Sequence, residues 1–286
     1  MTTKHFLNLR DLSNQDILNI LDRAIERKSQ KQKEKTFVGS KLGLIFEKPS
    51  TRTRISFESG ILNLGGNAIF MSSSDLQLSR GEPVSDTAKV ASSMLDVIAL
   101  RVDKHETLEM FAANSSVPVI NALSDLSHPC QILADLMTFK ENSVNELEKV
   151  CWIGDGNNVC NSYIEASKML DFELSIYCPK EYSPNHSFLD YAKENSSFAN
   201  SREEAAKGAD IITTDVWVSM GDEKTKERAF EGYFVDTELI ENTGKKSIFL
   251  HCLPAHRGQE ITFELMEHPS STVSYTHLRA HETDYY

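Results

Sequence analysis

The sequence contains no long hydrophobic run, no paired cysteines and no surplus of basic residues. No stretch approaches the roughly 20 apolar residues that span a bilayer, so no membrane anchor is expected. The opening MTTKHFLNLRDLS lacks the apolar core of a secretion signal. There are five cysteines, Cys130, Cys151, Cys160, Cys178 and Cys252, an odd number without C-x-x-C spacing. That pattern indicates neither a disulfide framework nor a zinc site, and a cytoplasmic protein is expected. Lys and Arg number 30 against 42 Asp and Glu, a net charge of −12. An acidic balance argues against nucleic acid or an anionic membrane as the main partner. A small anionic substrate would need basic residues gathered locally. The remaining composition, 40% hydrophobic and 25% charged, is that of an ordinary globular protein. A length of 286 residues suits one large or two medium domains.

Ser13 reads as a helix N-cap with Asp16 at the third helical position, after an extended start over residues 8–12. Ile17, Leu18, Leu21 and Ile25 follow at helical spacing. The charged stretch 26–35 reads as a solvated helix end. From Lys41 the pattern becomes strand, loop, helix, repeated. Strands are predicted over 42–46, 67–71, 97–100 and 117–121. In the second half they are predicted in the segment beginning KVCWI and over 174–178, 210–213 and 247–250. Strands alternating with helices predict an α/β fold of two doubly wound parallel-sheet domains. The polar stretch 142–148 marks the boundary. The expected division is residues 1–141, residues 142–270 and an atypical tail, 271–286, ending VSYTHLRAHETDYY.

In open parallel sheets, ligands bind beyond the carboxyl ends of the strands. Chemically capable residues recur at those positions. The first strand is followed by Ser50, Thr51, Arg52, Thr53 and Arg54, immediately before a helix. Free amides and the helix dipole favour an anion there, and arginine adds permanently charged, bidentate donors suited to phosphate. Capping alone would explain one hydroxyl but not two guanidiniums. Arg101 ends another strand, and His128 and Gln131 follow a third, where His128 can offer a donor to a carbonyl oxygen. The 154–156 GDG segment resembles the start of a dinucleotide fingerprint. The third glycine is missing, so a nicotinamide cofactor is not expected. Asn158 reads as an amide facing a ligand, against a mere turn residue. Asp215 is either a helix N-cap or a carboxylate that receives an amino group. Cys252 is either a small buried residue or part of the site.

Taken in order, STRTR with the following SFE, then HPCQ, DVWVSMG and HCLPAHRG resemble the aspartate/ornithine carbamoyltransferase family, on its ornithine side. The resemblance runs from about Phe6 to about Pro269. It implies a carbamoyl-phosphate-binding domain followed by an ornithine-binding domain, with the active site in the cleft between them. Carbamoyl phosphate would be held by Ser50, Thr51, Arg52, Thr53, Arg101, His128 and Gln131, with Arg54 serving structure more than ligand. L-ornithine would be held by Asn158, Asp215, Ser219 and Met220, with Cys252 and Leu253 beside the reacting centre. Gln77 would reach a neighbouring subunit's site, implying a homotrimer. No metal or organic cofactor is implied. The family's closing helix, with an arginine near the carbamoyl carbonyl, has no counterpart in the tail, and Arg279 is not assigned that role.

The implied reaction is attack of the δ-amine of ornithine on carbamoyl phosphate, giving citrulline and phosphate. Arg52, Arg101, His128 and Cys252 are the residues expected closest to the chemistry. The alternatives are a carbamoyltransferase for another amine, such as putrescine or a modified ornithine, and a catalytically impaired truncated homologue.

Overall fold

The computed structural model describes residues 3–30, 34–72, 74, 76, 81–218 and 224–273. The chain divides into two compact units, one running to Leu133 and the other starting at Ala134.

The first unit opens with a 3-10 turn, Leu9–Asp11, rather than the extended segment predicted there. The Asp11 carboxylate accepts the amides of Leu7 and Asn8 at 2.8 and 2.9 Å, and this bends the backbone. Helix α1, Asn14–Ser29, begins as its sequence predicts: Ser13 accepts the Asp16 amide and Asp16 accepts the Ser13 amide in return. Four parallel strands follow, β1 Lys41–Phe46, β2 Asn67–Ser72, β3 Val97–Arg101 and β4 Val119–Leu123. They are linked by helices α2 Thr51–Asn63, α3 Val84–Met94 and α4 His105–Asn114. The predicted 117–121 strand is displaced by two residues. Pro118 has no N–H for the ladder, so pairing starts after it and extends to Leu123.

The order β2-β1-β3-β4 places β1 centrally. After the exposed Lys41 its residues are buried without alternation because both faces are covered. Leu42, Leu44 and Phe46 pack with Ile61 of α2 on one face. Ile45 packs with Leu100, Leu108 and Phe111 on the other.

Helix α5, Pro129–Asn142, leads into the second unit. Its five parallel strands are β5 Lys149–Ile153, β6 Glu173–Tyr177, β7 Ser196–Phe198, β8 Ile211–Thr214 and β9 Ile248–His251, in the order β7-β6-β5-β8-β9. Helices α6 Asn158–Leu170, α7 His186–Tyr191, α8 Arg202–Ala206 and α9 Thr237–Glu241 connect them. Cys151, Ile153, Ile212 and Phe249 pack against Ala205, Leu239 and Ile240 on one face of this sheet. Among the described residues no helix is long and apolar enough to cross a membrane.

Candidate active site

Strand order reverses direction once in each sheet. Arg101 and the 50–54 segment fall at one of those places and Asn158 and Asp215 at the other, whereas His128 and Gln131 follow β4 and Cys252 and Leu253 follow β9. In the first sheet the chain moves outward from β1 to β2 and then returns to the other side of β1 as β3. The carboxyl ends of β1 and β3 are therefore neighbours at a topological switch point, where open α/β sheets bind ligands. Phe46 pairs in register with Arg101, and the Glu47 amide donates to the Arg101 carbonyl at 2.8 Å. This fixes the Arg101 backbone one short loop away from the start of α2.

Ser50 is the N-cap of α2, and its hydroxyl accepts the Thr53 amide at 3.4 Å and donates to Thr53 Oγ1 at 2.9 Å. Helix geometry supplies no intrahelical acceptor for the first-turn amides of Thr51 and Arg52, so they are suited to an anion. Arg52 is exposed, whereas Arg101 is only 8% exposed. Arg54 is committed elsewhere. Its Nε donates to Glu58 Oε1 at 2.8 Å, and its guanidinium carbon lies 3.7 Å from the centroid of the Phe70 ring. The structural role implied for Arg54 therefore has definite partners. His128 and Gln131 are both buried, and the Gln131 amide donates to the His128 carbonyl at 3.1 Å, tightening the turn into α5. Cys130, between them, is a packing residue. Its thiol donates to the Asn121 carbonyl at 3.4 Å, and burial pushes its pKa up to about 12.

In the second sheet the reversal lies between β5 and β8. Asn158 begins α6 beyond β5, and Asp215 follows β8. The residue that joins them is Asn157, which the sequence pattern alone does not single out. Its Oδ1 accepts the amides of Val159 and Cys160 at 2.9 and 3.2 Å, capping α6. Its Nδ2 donates to Asp215 Oδ2 at 2.8 Å. The available signal is an asparagine just before an apolar helical run.

Asp215 does not act as a helix cap here. Its side chain is buried, and burial raises its pKa, opposed by the nearby His251 and by hydrogen bonds from the Val216 amide and Asn157. A buried carboxylate held by a neutral amide donor is well suited to receive an ammonium group.

The GDG segment does not form a nucleotide cradle. The Gly156 amide donates to the Tyr182 carbonyl at 2.9 Å. A Cβ on Gly156 would collide with the Pro184 nitrogen and the Tyr182 carbonyl oxygen. The glycine therefore admits the chain's own backbone, not a pyrophosphate. Gly154, at φ 121°, takes a backbone conformation that side chains disfavour.

Cys252 and Leu253 follow β9, and both are half-buried. Leu253 has φ 44°, unusual for a branched side chain. The Leu253 amide donates to His251 Nδ1 at 2.9 Å. The imidazole proton is therefore placed on Nε2, which faces Glu260 Oε1 at 3.2 Å. Glu260 Oε1 also accepts the His256 amide. This buried group shapes the turn that presents Cys252, and no local sequence pattern announces it. Gln77, Ser219 and Met220 lie outside the described residues. Among the described residues, no group of three or more His, Cys, Asp or Glu could hold a metal ion.

Residues 4–141 match the family model described as aspartate/ornithine carbamoyltransferase, carbamoyl-P binding domain. Residues 147–276 match the companion Asp/Orn binding domain. The chain is 50% identical over 280 residues to an ornithine carbamoyltransferase of Acinetobacter baumannii, covering 96% of this chain and 92% of that protein. It is 47% identical over 277 residues to one of Halorhodospira halophila, covering 94% and 92%. Among solved structures, it is similar to the anabolic ornithine carbamoyltransferase from Campylobacter jejuni, with TM-score 0.91 and 43% identity over 98% of this chain and 95% of that one. It is also similar to the Pyrococcus furiosus enzyme, with TM-score 0.90 and 38% identity over 98% and 94%. With both of its domain models matched in order and relatives aligned over nearly its whole length, the chain belongs to the aspartate/ornithine carbamoyltransferase family.

Proposed function

We infer that this chain transfers the carbamoyl group of carbamoyl phosphate to the δ-amine of L-ornithine, yielding L-citrulline and phosphate. Residues 1–141 would bind the donor and residues 142–270 the acceptor, in the cytoplasm and within arginine metabolism. A homotrimer, with Gln77 contributed to a neighbouring subunit's site, fits the same family. The observation that carries the reading is the pairing of chemistries at the two switch points. In one sheet Arg101 pairs with the last residue of β1, whose loop leads into the capped start of α2, and in the other a buried carboxylate is fixed by Asn157.

Ser50, Thr51, Arg52, Thr53 and Arg101 would hold the phosphate. The two guanidiniums would neutralise it as the C–O bond breaks and phosphate leaves with the electron pair. His128, Thr53 and Arg101 would donate to the carbonyl oxygen as attack makes the carbon tetrahedral, an oxyanion-stabilising role. Gln131 would orient the carbamoyl group. Asp215 and Asn158, with Ser219, Met220 and Leu253, would hold the amino-acid head group, leaving the δ-amine to attack. That amine must be neutral, although its pKa in water is about 10.4. The proton lost on forming the new N–C bond would go to a phosphate oxygen or to the thiolate form of Cys252. Asp215 would orient and not deprotonate, because a carboxylate is too weak a base.

The test is a carbamoylation assay with carbamoyl phosphate and a panel of amines: L-ornithine, putrescine and a modified ornithine. Citrulline formation with a clear preference for ornithine is the expected outcome. Preference for putrescine would transfer the assignment to another amine. No turnover with any amine would leave the impaired-homologue reading.

A further inference from the structure

One charged pair in the second unit takes no part in the chemistry above. Lys226 Nζ lies 2.6 Å from Asp155 Oδ2, with the two side chains 13% and 8% exposed. Lys226 also stands 5.0 Å from the Tyr182 ring centroid and 5.8 Å from that of Phe230. Those rings are 5.0 Å apart. Asp155 occupies the turn between β5 and α6, two residues before Asn157 and three before Asn158. Its carbonyl accepts the Trp152 indole N–H at 3.0 Å, so the backbone of this turn is tied on that side as well. Lys226 belongs to the 3-10 turn Lys224–Phe230, and Trp217 stacks on Phe230 at 5.9 Å while its indole donates to the Tyr233 carbonyl at 3.2 Å. Trp217, two residues after Asp215, and the 224–230 turn are therefore both fastened to one aromatic group.

Desolvating two charges is expensive, and apolar residues of similar size often hold a fold as well or better. A buried pair retained at such a place is better explained by the single geometry it enforces. We propose that the Asp155–Lys226 ion pair is a positioning anchor for the acceptor substrate. It clamps the 224–230 turn onto the turn that delivers Asn157 and Asn158, and so sets affinity for the α-amino-acid head group. Asp155 and Lys226 touch no substrate in this scheme; they act through Asn157, Asn158 and Asp215. The proposal deepens the ornithine reading and rests on it.

The experiment uses the full chain carrying Lys226→Met, Lys226→Arg, or the double change Asp155→Asn with Lys226→Met. Kinetics would be joined by binding of L-norvaline, which keeps the head group and lacks the δ-amine. Lys226→Met should raise the ornithine KM and the norvaline Kd at least tenfold, with the carbamoyl phosphate KM within twofold of the parent. Lys226→Arg should recover most of the affinity. The double variant should regain thermal stability, because no charge is left unpaired, without regaining ornithine affinity. Unchanged ornithine and norvaline affinity in folded Lys226→Met would overturn the anchor. So would equal weakening of both substrates, or recovery of affinity together with stability in the double variant. Amide hydrogen exchange tests the anchor independently of activity. Lys226→Met should speed exchange over residues 224–230 and the first turn of α6, and unchanged exchange refutes the anchor. A parent chain that makes no citrulline would sink the functional reading, and the faster exchange would then leave only the clamp between the two turns standing.

Discussion

Replacing Asn157 separates two jobs that one side chain performs. Its carbonyl oxygen caps α6 by accepting two amides, and its amide nitrogen donates to the buried Asp215 carboxylate at 2.8 Å. Loss of an N-cap costs about 1 kcal/mol, and loss of a hydrogen bond to a charged, buried partner costs about 1.5–3 kcal/mol. Asn157→Ala removes both, for a total of about 2.5–4 kcal/mol. At about 2–4 °C per kcal/mol for a chain of this order of size, the thermal midpoint should fall by on the order of 5–15 °C. Asn157→Ser keeps a capping hydroxyl but cannot reach Asp215, so it should lose only the second contribution. The same donor helps hold the Asp215 pKa down against burial. Without it Asp215 binds its proton more readily, and the acid limb of kcat/KM for ornithine should move to higher pH. Calorimetry on both variants, with pH-dependent citrulline kinetics, measures each part. A serine variant with parental stability and an unmoved acid limb would refute the reasoning.

Two other substitutions test the remaining assignments. Arg52 is exposed and at the start of α2, so Arg52→Ala should lower kcat/KM for carbamoyl phosphate by about a hundred- to a thousandfold, the effect of losing one transition-state donor. Its thermal midpoint should stay at the parental value; near-parental turnover would remove Arg52 from the site. Asp215→Asn should abolish ornithine turnover without destabilising the fold at pH 7. A carboxyl whose pKa is raised by folding stabilises the native state most below its unfolded pKa, and that contribution is lost as pH rises through the folded value. The midpoint of the asparagine variant, compared with the parent by calorimetry, should therefore improve from pH 4 to pH 7. A gap that widens in the opposite direction would contradict the sign.

The sheets are legible because burial on both faces writes itself as short continuous apolar runs, as at Leu42, Leu44, Ile45 and Phe46. β7 is not, because Ser196–Phe198 is a three-residue edge strand with little apolar content. The strand-end clusters are visible for a topological reason: a parallel sheet puts every carboxyl end on one side, so polar residues after successive strands belong together. Partnerships formed across distance are not visible. Asp155 and Lys226 are 71 positions apart, and nothing local to either names the other. Gly156 resembles part of a phosphate loop because its sequence context is the same; only the approach of Tyr182 and Pro184 shows that protein backbone occupies the space. Asn157 and Asn158 are adjacent and identical in type, and only the start of the helix decides which of them caps it.

Because each sheet has its own reversal of strand order, the proposed assignment writes donor recognition and acceptor recognition in different stretches of chain. On that assignment, mutations in the loops after β5 and β8 would alter which amine is accepted while Arg52, after β1, and Arg101, at the end of β3, keep their setting. Such an arrangement lets acceptor preference diversify in evolution without rebuilding the part that handles the energy-rich donor. The same separation makes the second unit the rational place to recombine or randomise when a different product is wanted.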